Sequence, residues 1–271
     1  MSTKHTQYEE ILTKAPSNRK RTIAIVFVFV VLIAISLPFV SADKISERGI
    51  TIASNILKNF LSPNWAALFD FSFKGIPYLL LETVCIALLG TLIGAALSFP
   101  LAFLASRNIT GERVSSIFVV IITIIRTIPP FVYVIMFVQV EIGAVAGILA
   151  FAVTSIGMIS KLFIESIEEI DKGVLEALDS SGATTFQKIR YGIIPQLMSN
   201  FLSTILYRFE INVKNATILG MVGAGGVGAE LLFAMSNFRW NDAATLIIGI
   251  IILVLIIEYF SGKMREKLIN G

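Results

Sequence analysis

EALDSSGATTFQKIRYGIIP, residues 176–195, is a polar, glycine-broken stretch set between two almost purely apolar runs. Val174, Leu175 and Leu178 recur at helical spacing, which predicts that the helix of the preceding run continues into water. Gly182 interrupts that helix, since glycine tolerates a sharp backbone turn. Thr184 and Gln187 stand at capping-box spacing, where a threonine oxygen and a glutamine side chain satisfy the free amides of a new helix start. Phe186, Ile189 and Ile193 are expected to line one face of that short helix. Pro195 falls at the expected start of the next apolar helix, where its missing amide proton is no loss. A helix, a bend and a capped helix with an apolar knob make a shape for docking on a soluble partner. An ordinary solvated loop is the competing reading.

The flanking runs decide where this stretch sits. Of 271 residues, 55% are hydrophobic and only 15% charged, against about 25% charged in a soluble domain. Several uncharged runs reach the roughly 17–25 residues that cross a bilayer as helix. The chain therefore reads as an all-α, polytopic membrane protein of about six transmembrane helices. Residues 1–21 form an expected cytoplasmic tail and 22–42 a first transmembrane helix. Val40-Ser41-Ala42 resembles a signal-peptidase site, but the apolar core before it exceeds the about 7–15 residues of a signal peptide, so an uncleaved span is preferred. Residues 43–75 form an expected extracytoplasmic segment, with Ile50, Ala53, Ile56, Leu57 and Phe60 spaced as in a surface-lying helix. The core, 76–262, holds spans near 76–106, 114–139, 142–165, 195–219 and 243–260, with a cytoplasmic loop over about 169–195. Gly90 and Gly94 offer a small-residue face for close helix packing in lipid, and Arg126 to Pro130 interrupts the 114–139 span. A basic tail, 263–271, closes the chain. Arg19, Lys20, Arg21, Arg107, Arg113, Lys188 and Arg190 all fall on one side of this arrangement, which makes that side cytoplasmic.

Several chemistries are disfavoured. Cys85 has no partner for an intrachain disulfide, and His5 has no metal-ligating company, so no metal site is expected. Basic residues are scattered among loops, so no nucleic-acid partner is expected. Gly223, Gly225 and Gly228 match a dinucleotide-binding glycine pattern, but a membrane helix rather than a β-strand precedes them. Irregular backbone against protein or a water-filled cavity is the better reading. Glu165, Glu168, Glu169 and Asp171 read as a solvated, acidic helix end. Arg126, Lys161, Arg208, Glu210 and Lys214 lie inside the spans, where each charge costs at least about 2.5–3.5 kcal/mol if it faces lipid. Glu210 and Lys214, four apart, are spaced to pair; Arg208 and Glu210, two apart, are not. Helix-to-helix ion pairs and an anion-favouring translocation path, chiefly through Arg126 and Arg208, are the two readings of this set.

The loop resembles the EAA loop of bacterial ABC importer permeases: Glu-Ala-Ala, three residues, Gly, nine residues, Ile-x-Leu-Pro. Glu176, Ala177, Gly182 and Pro195 fall on that spacing; Leu178 replaces the second alanine, Gly192 the isoleucine, and Ile194 stands for the leucine. IRTIPPFVYVIMFV, GMISKLFIESIEEID and LYRFEINVKNATILGMVGAGGVG are similar to the phosphonate-type permeases in particular. The resemblance covers most of residues 75–260 and implies a type I ABC importer permease fold in a bacterial cytoplasmic membrane. It further implies a homodimer of permeases over two ATP-binding subunits, fed by an extracytoplasmic substrate-binding protein. Carried over, Glu176, Ala177, Gly182, Thr184, Phe186, Gln187, Lys188 and Pro195 form the ATPase-coupling loop. No P-loop pattern occurs in the chain, so ATP and Mg are expected on the partner subunit, with no cofactor on this one and no enzymatic activity of its own. The implied cargo is phosphonate or a related phosphorus oxyanion. The alternatives are an amino acid or other organic anion, and a secondary transporter that works without an ATPase. An intramembrane enzyme would need clustered catalytic groups, and the sequence offers none.

Overall fold

The structure, a computed structural model, describes residues 19–37 and 47–270. Every regular element among them is a helix. The chain divides into two units between Asn55 and Ile56. The first holds helix α1 (Arg19–Ser36) and the start of α2 (Glu47–Phe60). The apolar part of α1 begins after Arg21 and reaches the end of the described stretch 19–37. Residues 1–18 of the expected N-terminal tail and 38–42 of the expected first span lie outside the described residues.

The second unit continues with α3 (Trp65–Leu68), α4 (Ile76–Ala105), α5 (Arg107–Thr110), α6 (Glu112–Thr127), α7 (Pro130–Val138), α8 (Ala144–Glu168), α9 (Lys172–Ser180), α10 (Thr185–Gln187), α11 (Ile194–Leu219), α12 (Val227–Ser236) and α13 (Trp240–Asn270). Helices α4, α8 and α13 are each long and apolar enough to span a bilayer, and two bent pairs add two more crossings at most. The described residues supply up to five of the expected six spans, and residues 38–42 of the first lie outside them. Helix α13 also runs straight through the expected tail boundary at 262 to Asn270.

Both bends have local causes. Ile128 and Pro129 are extended (ψ 123° and 144°), because a residue preceding proline avoids helical geometry, and α6 and α7 meet there at 78°. Pro129 has no N–H to give the Ile125 carbonyl four residues back, and Tyr133 Oη donates to it instead at 3.0 Å. After α11 a π-turn (Gly220–Ala224) leads into Gly223, Gly225 and Gly226, all at positive φ, and the chain turns by 63° into α12. The turn is held where Gly143 N–H donates to Gly223 O (2.8 Å) and Val227 N–H to Thr83 Oγ1 (2.9 Å).

Helix α8 is the centre of the unit. A Cβ on Gly90 would stand 2.4 Å from Phe151 Cβ, and one on Gly94 2.5 Å from Ser155 Cβ, so α4 and α8 run parallel with their backbones in near contact. Helix α11 runs antiparallel to α8: Phe201 stacks on Phe163 (4.3 Å between ring centroids), and Arg208 reaches Ser155. Phe103, Phe163, Ile167, Ile193 and Phe201 fill the half of the core nearest the 169–195 loop; Ile86, Val134, Ala150, Phe151 and Leu219 fill the other.

Candidate functional site

The loop is a helical hairpin. The helix of the preceding span does not continue into it: α8 stops at Glu168, and α9 starts afresh where the Asp171 side chain accepts from Gly173 N–H at 2.9 Å. An aspartate whose side chain takes a free amide two residues on is an N-cap, which competes with helix continuation. Glu165, six residues before Asp171, pairs with Lys161 at 3.0 Å, and Glu168 accepts from Arg107 N–H.

At its other end α9 closes in a Schellman arrangement. Gly182 sits at φ +75°, its N–H donates to Asp179 O and the Ala183 N–H to Leu178 O. Thr184 then caps α10: its Oγ1 accepts from Gln187 N–H, and the Gln187 carbonyl oxygen accepts from Thr184 N–H at 2.8 Å. Lys188 reaches back to Asp179 and ties the two legs.

The second leg is not a separate short helix. Thr185–Gln187 passes through a π-turn, Lys188–Ile193, directly into α11, and Pro195 lies in the first turn of α11 rather than after a break. A widened turn accommodates a proline whose N–H is missing from the ladder. The widening also rotates the side chains. Ile189 and Ile193 face inward onto Leu175 and the core, whereas Phe186 is 68% exposed, so the three do not share a face. Glu176, Ala177, Thr184 and Gln187 are exposed with Phe186 at the hairpin tip, and Tyr191 is exposed on the second leg.

The charged residues within the spans separate into three groups. Glu210, 6% exposed, accepts from Lys214 Nζ (3.0 Å) and from Arg265 Nη2 (2.7 Å), and Lys214 also meets Glu258 at 3.5 Å. The i,i+4 pair expected from the sequence is thus half of a four-residue network that fastens α11 to α13. Among the described residues Arg208 pairs with no carboxylate; it bonds to Thr154, Ser155 and Met158 of α8. Arg126 is exposed and has no ion pair among the described residues. With Lys161, Thr123, Thr127, Val119, Ile122 and Ile164 it lines a cavity of about 360 Å³ between α6 and α8. Gly157 permits this: a Cβ there would stand 3.1 Å from Arg126 Cα. Sequence reasoning leaves Arg265 in the basic tail and does not single out Glu258, Thr154, Ser155, Thr91 and Asn212. Polar residues embedded in apolar helices were the available signal for the last four.

Among the described residues, an all-helical bundle with up to five bilayer-length segments and a capped hairpin outside them defines a polytopic membrane protein. Residues 98–261, more than half of the chain, match the family described as "Binding-protein-dependent transport system inner membrane component". The chain belongs to this family, and is a permease of the bacterial cytoplasmic membrane. It is 34% identical over 189 residues to the phosphite transport system permease protein PtxC of Stutzerimonas stutzeri, covering 69% of each chain. It is 39% identical over 121 residues to a cryptic phosphonate transport system permease protein, PhnE2, of Escherichia coli, covering 45% of this chain and 99% of that one. One chain of the MetNI methionine ABC transporter, crystallised in inward-facing conformations, superposes with a TM-score of 0.61 at 20% identity, over 70% of this chain and 94% of that one. That likeness establishes the fold as that of a type I ABC importer permease.

Proposed function

We propose that this chain is the translocating subunit of an ATP-driven importer for a small phosphorus oxyanion, phosphonate or phosphite in class. The observation that carries the substrate is the 34% identity to a phosphite permease across 69% of both chains. The cavity beside Arg126, with Lys161 and two threonine hydroxyls on its wall, supports an anionic cargo. The chain works as one of two copies, with two ATP-binding subunits that hold ATP and Mg and an extracytoplasmic binding protein that delivers the solute. No cofactor is bound by the permease itself. The hairpin tip, Glu176, Ala177, Gly182, Thr184, Phe186, Gln187 and Lys188, docks on the ATPase, and the exposed Phe186 is its apolar knob. Helical continuity from Thr185 to Leu219 supports this role, because movement of the tip is carried into the bundle without a hinge. The substrate class is tested by titrating the cognate binding protein with phosphite and methylphosphonate, and with glycine betaine and methionine as controls. Saturable heat with the phosphorus compounds alone is expected. Binding of an organic solute instead would replace the assignment.

A further inference from the structure

Arg208 is 6% exposed and has no ion pair among the described residues. Its Nε donates to Ser155 Oγ (3.1 Å), its Nη2 to Thr154 Oγ1 (3.0 Å) and its Nη1 to Met158 Sδ (3.1 Å), all neutral acceptors. The nearest carboxylate in sequence, Glu210, is already engaged by Lys214 and Arg265, and with Glu258 those four charges cancel. Ser155 lies midway along α8, and Thr91, which joins the same cluster, midway along α4. The uncompensated cation therefore stands near the middle of the spanning bundle, where a charge needs a partner or a polar path.

Asn212 adds an independent sign of a missing ligand. Fully buried, it donates from Nδ2 to Thr91 Oγ1 (2.8 Å) and Ser155 Oγ (2.9 Å), while its Oδ1 has no hydrogen-bond partner among the described residues. Ser155 Oγ accepts from both Arg208 and Asn212, which leaves its own proton for a further acceptor. The cluster thus offers a guanidinium fork and a hydroxyl proton to an anion, and one carbonyl oxygen to a hydroxyl.

We infer that Arg208, Asn212 and Ser155 form a mid-membrane station for the singly protonated form of a phosphorus oxyanion. Its charged oxygens face Arg208 and Ser155, and its P–OH donates to Asn212 Oδ1. This rests on the oxyanion-importer reading above. In the conformation described the station is closed, and the hydroxyls of Thr154 and Ser155 occupy the guanidinium in place of the anion. Met158, half-buried and the weakest of the three acceptors, is the contact most easily given up. It shares an α8 face with Lys161, one turn on, which lines the Arg126 cavity and gives the anion a cationic approach.

The test is uptake of labelled phosphite by the complete transporter in proteoliposomes, for wild type, Arg208→Gln, Arg208→Lys and Ser155→Ala. Arg208→Gln should lower uptake about tenfold or more while the complex still copurifies with its ATP-binding subunits, and Arg208→Lys should recover part of the loss. Ser155→Ala, which leaves the charge in place, should raise the phosphite concentration needed for half-maximal uptake. Equal uptake by the Lys and Gln variants, at any level, would overturn the station, as would Ser155→Ala indistinguishable from wild type. If Arg208→Gln fails to assemble, the Ser155→Ala result decides. Absence of phosphite and methylphosphonate uptake by the wild type would instead overturn the substrate reading, and the station with it.

Discussion

Leu178 and Gly192 have exchanged volume across the hairpin. A Cβ built on Gly192 would stand 2.6 Å from Leu178 Cδ1, so the leucine of the first leg fills the space that a side chain on the second would need. The general EAA pattern places a small alanine at the first position and a large isoleucine at the second. The two departures of this chain from that pattern are therefore one packing solution. Gly192→Ile alone should loosen the hairpin by about 1–3 kcal/mol through overpacking. Leu178→Ala with Gly192→Ile should recover much of that, a coupling of roughly 0.5–3 kcal/mol for residues in contact. Thermal unfolding of the four proteins in detergent measures the cycle, and additive losses would show that the exchange is not a packing pair.

Gly182 needs its backbone, not its space. It sits at φ +75°, yet an added Cβ would meet nothing within 4 Å. Val at this position should cost about 1–2 kcal/mol in the left-handed region, whereas Asn, which visits that region readily, should cost much less. Transport and copurification with the ATPase should be lost with Gly182→Val and largely kept with Gly182→Asn. Equal loss in both would indicate that the turn is required for its contacts rather than its geometry.

Glu210 holds two helices through two cations. Removing it leaves Lys214 and Arg265 facing each other across α11 and α13. Glu210→Ala should destabilise the permease by roughly 1–3 kcal/mol, because the two cations it leaves are partly exposed and Lys214 keeps Glu258. Thermal unfolding in detergent reads this directly, and a loss under about 1 kcal/mol would place the network among weak surface pairs.

The direction of the chain in the membrane is open to labelling. In a Cys85→Ser background, needed because Cys85 is exposed, single cysteines at Gly111 and Thr185 should resist an impermeant thiol reagent in intact cells. A cysteine at Asn237 should react. Labelling at Thr185 from outside would remove the hairpin from the ATPase side.

Much of this site is written locally. The Thr184–Gln187 box and the Gly182 turn depend on residues three to five apart, so spacing alone reveals them. The glycine-rich bend after Leu219 and the Pro129 break are likewise properties of single residues. What spacing missed is long-range. Whether Phe186 faces in or out depends on a π-turn that begins only at Lys188 and shifts the helical phase. The partners of Arg208 lie fifty or more residues away on a helix whose antiparallel register with α11 no local pattern states. Arg265, read as part of a soluble tail, is drawn into the bundle because α13 does not stop where its apolar run does.

The proposed function is inward movement of a phosphorus oxyanion on energy supplied by another polypeptide. The most direct measurement is accumulation of labelled phosphite or methylphosphonate in proteoliposomes that carry the permease, its ATP-binding subunits and the external binding protein, with and without internal ATP. Accumulation that requires ATP and the ATP-binding subunits, and that excess methionine or glycine betaine does not diminish, is the predicted result. Uptake by the permease alone, or ATP-driven uptake of an organic solute with none of either phosphorus compound, would contradict it.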